Sequence, residues 1–133
     1  MMNKRLVFLA ITLLAMLVLV SGCRKSVPTD SYSGNAPTEK YSAEKIKNSI
    51  IRAGASLGWV IVPAAKNQLE GTLNVRAHTL VVTIDYSAAG YKIQYKSSVN
   101  MEYKNGKIHP QYRNWVLNLQ RHIDTEIATI SAR

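Results

Sequence analysis

Residues 69–96, LEGTLNVRAHTLVVTIDYSAAGYKIQYK, decide the fold. In the first run Leu69, Leu73 and Val75 alternate with Glu70, Thr72, Asn74 and Arg76. Leu80, Val82, Ile84 and Tyr86 repeat the pattern against Thr79, Val81, Thr83 and Asp85, and Tyr91, Ile93 and Tyr95 repeat it against Lys92, Gln94 and Lys96. A period of two places the apolar members of each run on one face of a pleated sheet and the polar members on the other. Ser87–Gly90 is a turn signal, and connections this short join antiparallel neighbours. The stretch therefore predicts an antiparallel meander with one apolar face and one solvated, partly basic face.

That apolar face needs a cover, and the flanking sequence supplies it twice. On the N-terminal side Ser42 is a good helix N-cap, Glu44 falls in the first turn, and Tyr41 with Ile46 has the spacing of a hydrophobic staple. Ile46, Ile50, Ala53 and Leu57 form one stripe, Gly54 is a small residue suited to close approach, and Gly58 is a stop, so a helix is expected over 43–57. Trp59–Val62, closed by Pro63, reads as a further short strand at an edge, and Ala64–Gln68 as a loop. On the C-terminal side Tyr112, Val116, Leu119, Ile123, Ile127 and Ile130 make a second stripe, with Pro110 at the first turn. Residues 99–108, which include Asn105-Gly106, fit either another short strand and hairpin or an irregular excursion. The expected class is α+β: a three- to four-stranded antiparallel meander with an N-terminal and a C-terminal helix on one face, in the order α-β-β-β-α.

Upstream of Tyr41 the composition changes twice. Arg24–Lys40, RKSVPTDSYSGNAPTEK, is rich in Pro, Ser and Thr and poor in large apolar side chains, so it is read as a flexible tether. As a coil it would span roughly 20–25 Å. Before it, Lys4-Arg5 precede fifteen residues, Leu6–Val20, with nothing more polar than Thr12, and these end in Ser21-Gly22-Cys23. A membrane span needs about 18–20 apolar residues, and this run is shorter and is followed by small residues and a thiol. Ser21 and Gly22 leave the backbone open to a peptidase, and a cysteine sulfur is the soft nucleophile that can carry a lipid.

Over residues 1–23 the chain resembles a bacterial lipoprotein precursor, with a secretory signal ending in a lipobox. The resemblance implies that the Cys23 sulfur is alkylated with diacylglycerol, that the bond between Gly22 and Cys23 is cut, and that the new amino group is acylated. Each buried methylene is worth about 0.8 kcal/mol, so several chains on one cysteine would anchor permanently. It also implies that Arg24, which is not the aspartate that retains such proteins in the inner membrane, favours the outer membrane, with the domain facing the periplasm. The expected organisation is a signal peptide over 1–22, lipidated cysteine and tether over 23–40, and one domain over 41–133. Gly58-Trp59, Glu70-Gly71-Thr72-Leu73, Arg76, His78, Tyr91–Tyr95, Ile108-His109 and Trp115–Leu119 are similar in spacing to an uncharacterised family of small Gram-negative envelope lipoproteins, which implies one compact α+β module and no particular activity.

Charge and cysteine content narrow the function classes. The formal charge is +9, and loss of Lys4 and Arg5 with the signal leaves +7. From Tyr41 onward 12 basic side chains face 6 acidic ones, so the domain would attract anionic headgroups, peptidoglycan carboxylates or acidic proteins over about a Debye length. Export argues against nucleic acid as the partner. Cys23 is the only cysteine, and once it is lipidated the domain has neither disulfide nor thiolate.

No catalytic motif stands out. His78, His109 and His122 are 31 and 13 residues apart, without the short spacing of paired metal ligands, so no metal or cofactor is expected. His78 is in phase with the inward strand residues and reads as a half-buried histidine hydrogen-bonded to a neighbour. Two function classes follow. The first is a non-catalytic accessory module, tethered to the membrane, that binds an envelope protein or peptidoglycan; its anionic partner would meet a patch of Arg76, Lys92 and Lys96 on the exposed sheet face. The second is a small cell-wall hydrolase or transferase using His78 or His109 with a carboxylate such as Asp85, and the first is preferred.

Overall fold

The computed structural model describes residues 25–37 and 41–130. The expected signal segment, the lipobox and Cys23 lie outside these. The described elements are β1 (Val27–Pro28), β2 (Tyr32–Asn35), α1 (Ala43–Ser56), β3 (Val60–Ala65), β4 (Gln68–Val75), β5 (His78–Ser87), β6 (Gly90–Val99), β7 (Lys107–Ile108) and α2 (Gln111–Ile130). The class is α+β, with β3 to β6 forming a four-stranded antiparallel meander.

The alternation of residues 69–96 translates directly into layers. Leu69, Leu73, Leu80, Val82, Ile84 and Ile93 are buried beneath Ile46, Ile50 and Ala53 of α1 and Tyr112, Val116, Leu119, Ile123 and Ile127 of α2. Each fully buried Leu or Ile contributes about 1.5–3 kcal/mol, and in a domain without disulfides this face supplies most of the stability. The Ser42 side chain caps α1 by accepting a hydrogen bond from the Lys45 amide at 3.3 Å, and Gly58, at φ 85°, follows its end. Gly54 lets α1 approach β3: a Cβ there would lie 2.2 Å from Ile61 Cδ1. Asp and Ser are absent from the entry of α2; His109 takes the capping role, its Nδ1 accepting from the Gln111 amide at 3.1 Å and its carbonyl from the Tyr112 amide at 3.1 Å.

The reading of residues 24–40 as free tether is corrected over 25–37. Tyr32–Asn35 pair antiparallel with Gly90–Ile93 and give the sheet a fifth strand, in the order β2-β6-β5-β4-β3. Val27 and Pro28 pair with Ile108 and Lys107, and the Thr29 amide donates to the Gly106 carbonyl at 3.0 Å. Two side chains of α2 clamp the segment from above: the Tyr112 hydroxyl donates to the Asp30 carbonyl at 2.7 Å, and Gln120 Nε2 donates to the Ser33 carbonyl at 2.7 Å. Composition conceals all this because the segment is held largely by its backbone, which every sequence possesses, with only Val27, Tyr32 and Ala36 packing into or against the core. Its glycine is structural, since a Cβ on Gly34 would lie 2.4 Å from Tyr91 Cε1.

Two smaller expectations are also adjusted. Pro63 does not end β3; the strand continues to Ala65 through a register shift between Pro63 and Ala65. At the edge of a sheet the missing N–H of a proline need not cost a ladder hydrogen bond. Residues 99–108 combine both alternatives left open: β6 runs to Val99, an irregular loop follows, and Asn105 (φ 52°) with Gly106 (φ 73°) make a tight turn that closes the Lys104–Lys107 bridge. Two successive positive φ values are the signature of a type I′ hairpin turn.

Gly34→Val is expected to lower the unfolding free energy by about 1–3 kcal/mol in urea titrations, because Tyr91 or β2 must move. The domain should also be sensitive to alkali. Burial first and Asp124 second raise the Tyr91 phenol well above its ordinary 10.0, and burial, then Tyr32, Asp30 and Tyr95, raise that of Tyr112. The fold holds both phenols neutral, so their contribution is full below pH 10 and falls as pH rises beyond it, where the unfolded chain ionises first. Melting temperatures followed by circular dichroism from roughly pH 9 to 11 should decline, with a shallower slope for Tyr112→Phe.

Candidate functional site

The three basic residues expected to form a patch occupy different places. Lys92 points from the solvated face of β6, level with Asp85 of β5, which in turn lies level with Gln68 of β4 and accepts from its Nε2 at 2.9 Å. Lys96 sits where the β5–β6 register shifts, and its ammonium forms an ion pair with Glu70, two strands away. Arg76 is in the β4–β5 turn, eight residues along β4 from Gln68, which is roughly 26 Å at the strand rise. The structure therefore does not bring Arg76 to Lys92, and Glu70 balances the charge of Lys96. A shallow depression of about 390 Å³ beside the β5–β6 turn carries Asp85 and Lys92 as its charged side chains.

The two histidines, by contrast, are brought together. His78 opens β5 and His109 precedes α2; their ring centroids are 6.0 Å apart, and Trp115 lies 6.4 Å from His78. The Nδ1 of His78 is 2.7 Å from the Asn100 carbonyl oxygen. A carbonyl can only accept, so Nδ1 carries the hydrogen and Nε2 the lone pair of the neutral ring. At His109 the Gln111 amide donates to Nδ1, which reverses the tautomer and leaves the hydrogen on Nε2. His122 lies apart on α2, with Nδ1 donating to the Asn118 carbonyl at 2.9 Å. Asp85, a possible acid for His78, is seven residues further along the same strand, roughly 23 Å away. Among the described residues, the hydrogen-bond partner of His78 is the Asn100 carbonyl and not a carboxylate. Among the described residues no group of three or more His, Cys, Asp or Glu is placed to hold a metal ion.

What the sequence did not reveal is that several distant segments converge at this end, the base of the domain. The His109 amide donates to the Met101 carbonyl at 2.9 Å, and Asn100 Nδ2 reaches the Ala77 carbonyl at 3.5 Å, so loop 100–106 joins the β4–β5 turn to the entry of α2. The β1–β7 pair lies against the same loop through Thr29 and Gly106. Tyr103 stacks on Tyr95 with ring centroids 4.5 Å apart, Tyr95 meets Tyr112 edge-on at 6.0 Å, and Tyr112 is tilted against Tyr32 at 6.4 Å. The one advance signal was Asn105-Gly106, which marks a turn but does not say what the turn packs against.

No family model matches the chain, and no curated protein is significantly similar to it. Among the described residues no helix is long and apolar enough to cross a membrane.

His78→Phe should keep a ring against His109 and Trp115 while leaving the Asn100 carbonyl unpaired. The expected cost is about 1–2 kcal/mol in urea unfolding, with faster amide exchange across residues 100–106.

Proposed function

We propose that the protein is a lipid-anchored accessory module of the bacterial cell envelope, held through Cys23 and facing the periplasm, that binds a partner in the envelope rather than catalysing a reaction. The observation that carries this reading is the order of residues 4–23: two basic residues, an apolar run too short to span, two small residues and the sole cysteine. Arg24 supports the outer membrane as the destination. Binding is supported by the outward side of the edge strand β3, where Val60 and Val62 are 62% and 48% exposed beside an unpaired strand edge of the described sheet. Apolar residues on a free edge are normally masked by charge, and their retention fits a surface that another protein covers. The basic domain suits an acidic envelope protein or the carboxylates of peptidoglycan.

Intact-mass analysis of the native chain from membranes tests the anchor. The expected product begins at Cys23 and carries a diacylglycerol and an N-acyl group, and Cys23→Ala accumulates as uncleaved precursor. A native chain that starts upstream of Cys23, or one with an unmodified sulfur in the aqueous fraction, overturns the reading.

A further inference from the structure

We propose that the base of the domain is a membrane-apposed surface, seated on the anionic phospholipid headgroups of the bilayer that holds its own anchor. This rests on the acylation of Cys23 proposed above, but it concerns a different part of the molecule and can fail separately.

The first argument is length. Only three residues, Arg24, Lys25 and Ser26, separate Cys23 from Val27, which is already paired with Ile108. Whatever path they take, the four steps from Cys23 to Val27 cover at most about 14 Å. The 17-residue leash expected from composition is thus reduced to a few residues, because β1 and β2 are parts of the domain. The strand ladder of β5 and β6 is about 33 Å long, so the base lies close to the anchor while the β5–β6 turn can stand well away from it.

The second argument is charge. Lys25 leads into β1, Lys104 and Lys107 flank the Asn105-Gly106 turn, Arg76 is in the β4–β5 turn joined to the loop by Asn100, and Arg113 is in the first turn of α2. All five are exposed. The described ion pairs, Lys47–Glu44, Arg52–Glu126 and Lys96–Glu70, involve none of them. Glu102 and Asp30 are the acids nearby in the chain, which leaves a clear positive excess at this end. A basic side chain held near an anionic bilayer multiplies the partition coefficient about fivefold, and the attraction fades within roughly a Debye length. The short leash lets the cluster come within that range of the surface.

The third argument is apolar. Tyr103, 48% exposed, projects from the same loop and stacks on Tyr95, and Val99, 61% exposed, ends β6 just before it. An aromatic ring with a polar tip, set among lysines, is the composition that settles at the headgroup level. At the opposite end the β5–β6 turn, Ser87-Ala88-Ala89-Gly90, carries no charge, and exposed Lys66 of the β3–β4 turn stands there in place of a cluster, with Lys92 level with Asp85.

The test uses the acylated mature protein in vesicles of phosphatidylcholine, with and without phosphatidylglycerol. A fluorophore is placed by Gln111→Cys at the base or Ser87→Cys at the far turn, and a headgroup-linked quencher reads proximity. Quenching should be strong for the Gln111 label and weak for the Ser87 label, should deepen with phosphatidylglycerol, and should lose that dependence in Lys104→Glu plus Lys107→Glu. Equal quenching at the two positions, or no response to phosphatidylglycerol, overturns the proposal. A second arm removes the anchor: the Cys23→Ala mature chain is sedimented with phosphatidylglycerol vesicles, and the double reversal, checked by circular dichroism for an unchanged fold, should cut its partition by at least about 25-fold. Loss of acylation with this dependence intact would defeat the anchor and leave the surface standing. An acylated chain whose vesicle binding ignores both lysines would do the opposite. Binding to isolated peptidoglycan that is lost in the double variant, with none to vesicles, would assign the surface to the polymer and overturn the lipid proposal.

Discussion

The structure depends on one constraint: a single apolar sheet face that has to be kept from water. A chain of this size buries a modest share of its surface, and Cys23 is the sole cysteine, so no disulfide can make up a deficit within the domain. The face of β4, β5 and β6 meets the stripes of α1 and α2 along its length, and those two helices also meet each other, with Arg52 bound to Glu126 at 3.2 Å across the seam. Because every buried element answers to the same face, the layers form together. Of the phenols drawn into that core, that of Tyr91 donates to Asp124 at 2.6 Å and that of Tyr112 to the Asp30 carbonyl, whereas the buried Tyr41 hydroxyl has no hydrogen-bond partner among the described residues.

The sequence made the parts held by side-chain periodicity legible. The meander, both helix stripes and the Ser42 cap follow from spacing, since burial and pleat act on the side chain itself. What it concealed is held by backbone. Residues 25–37 carry few apolar groups, yet they complete the sheet through amides and carbonyls, and Gly34 contributes by having no side chain at all. The bulge at Lys96 was hidden for a related reason: register is a property of two strands, and neither run alone records it. Lys96, at that bulge, pairs with Glu70 two strands away, so one of the two lysines of a basic outer face inferred from single strands is neutralised.

The histidines show the same division. The inward phase of His78 was readable, but its neighbours were not, because Asn100, His109 and Trp115 reach it from a loop, a linker and a helix. Sequence distance between His78 and His109 says nothing about a corner where the start of a strand meets the start of a helix. The same convergence gathers charged residues at the base that lie far apart along the chain. Charge counted by composition described the domain as basic without saying where the basic side chains stand.

The pairing of β2 with β6 also determines how the domain bears a load. A pull on the N-terminus first meets Val27 and Pro28, a ladder of only two residues that can open one bond at a time. Beyond it the pull runs along the axis of Tyr32–Asn35, whose amides face β6 across that axis, so the ladder is loaded in shear and its bonds resist together. The Tyr112 and Gln120 clamps lie on the same line. A tug from the front of the chain is thus carried through the edge strand into the sheet, and the segment that resembles slack in the sequence works mechanically as a fastening.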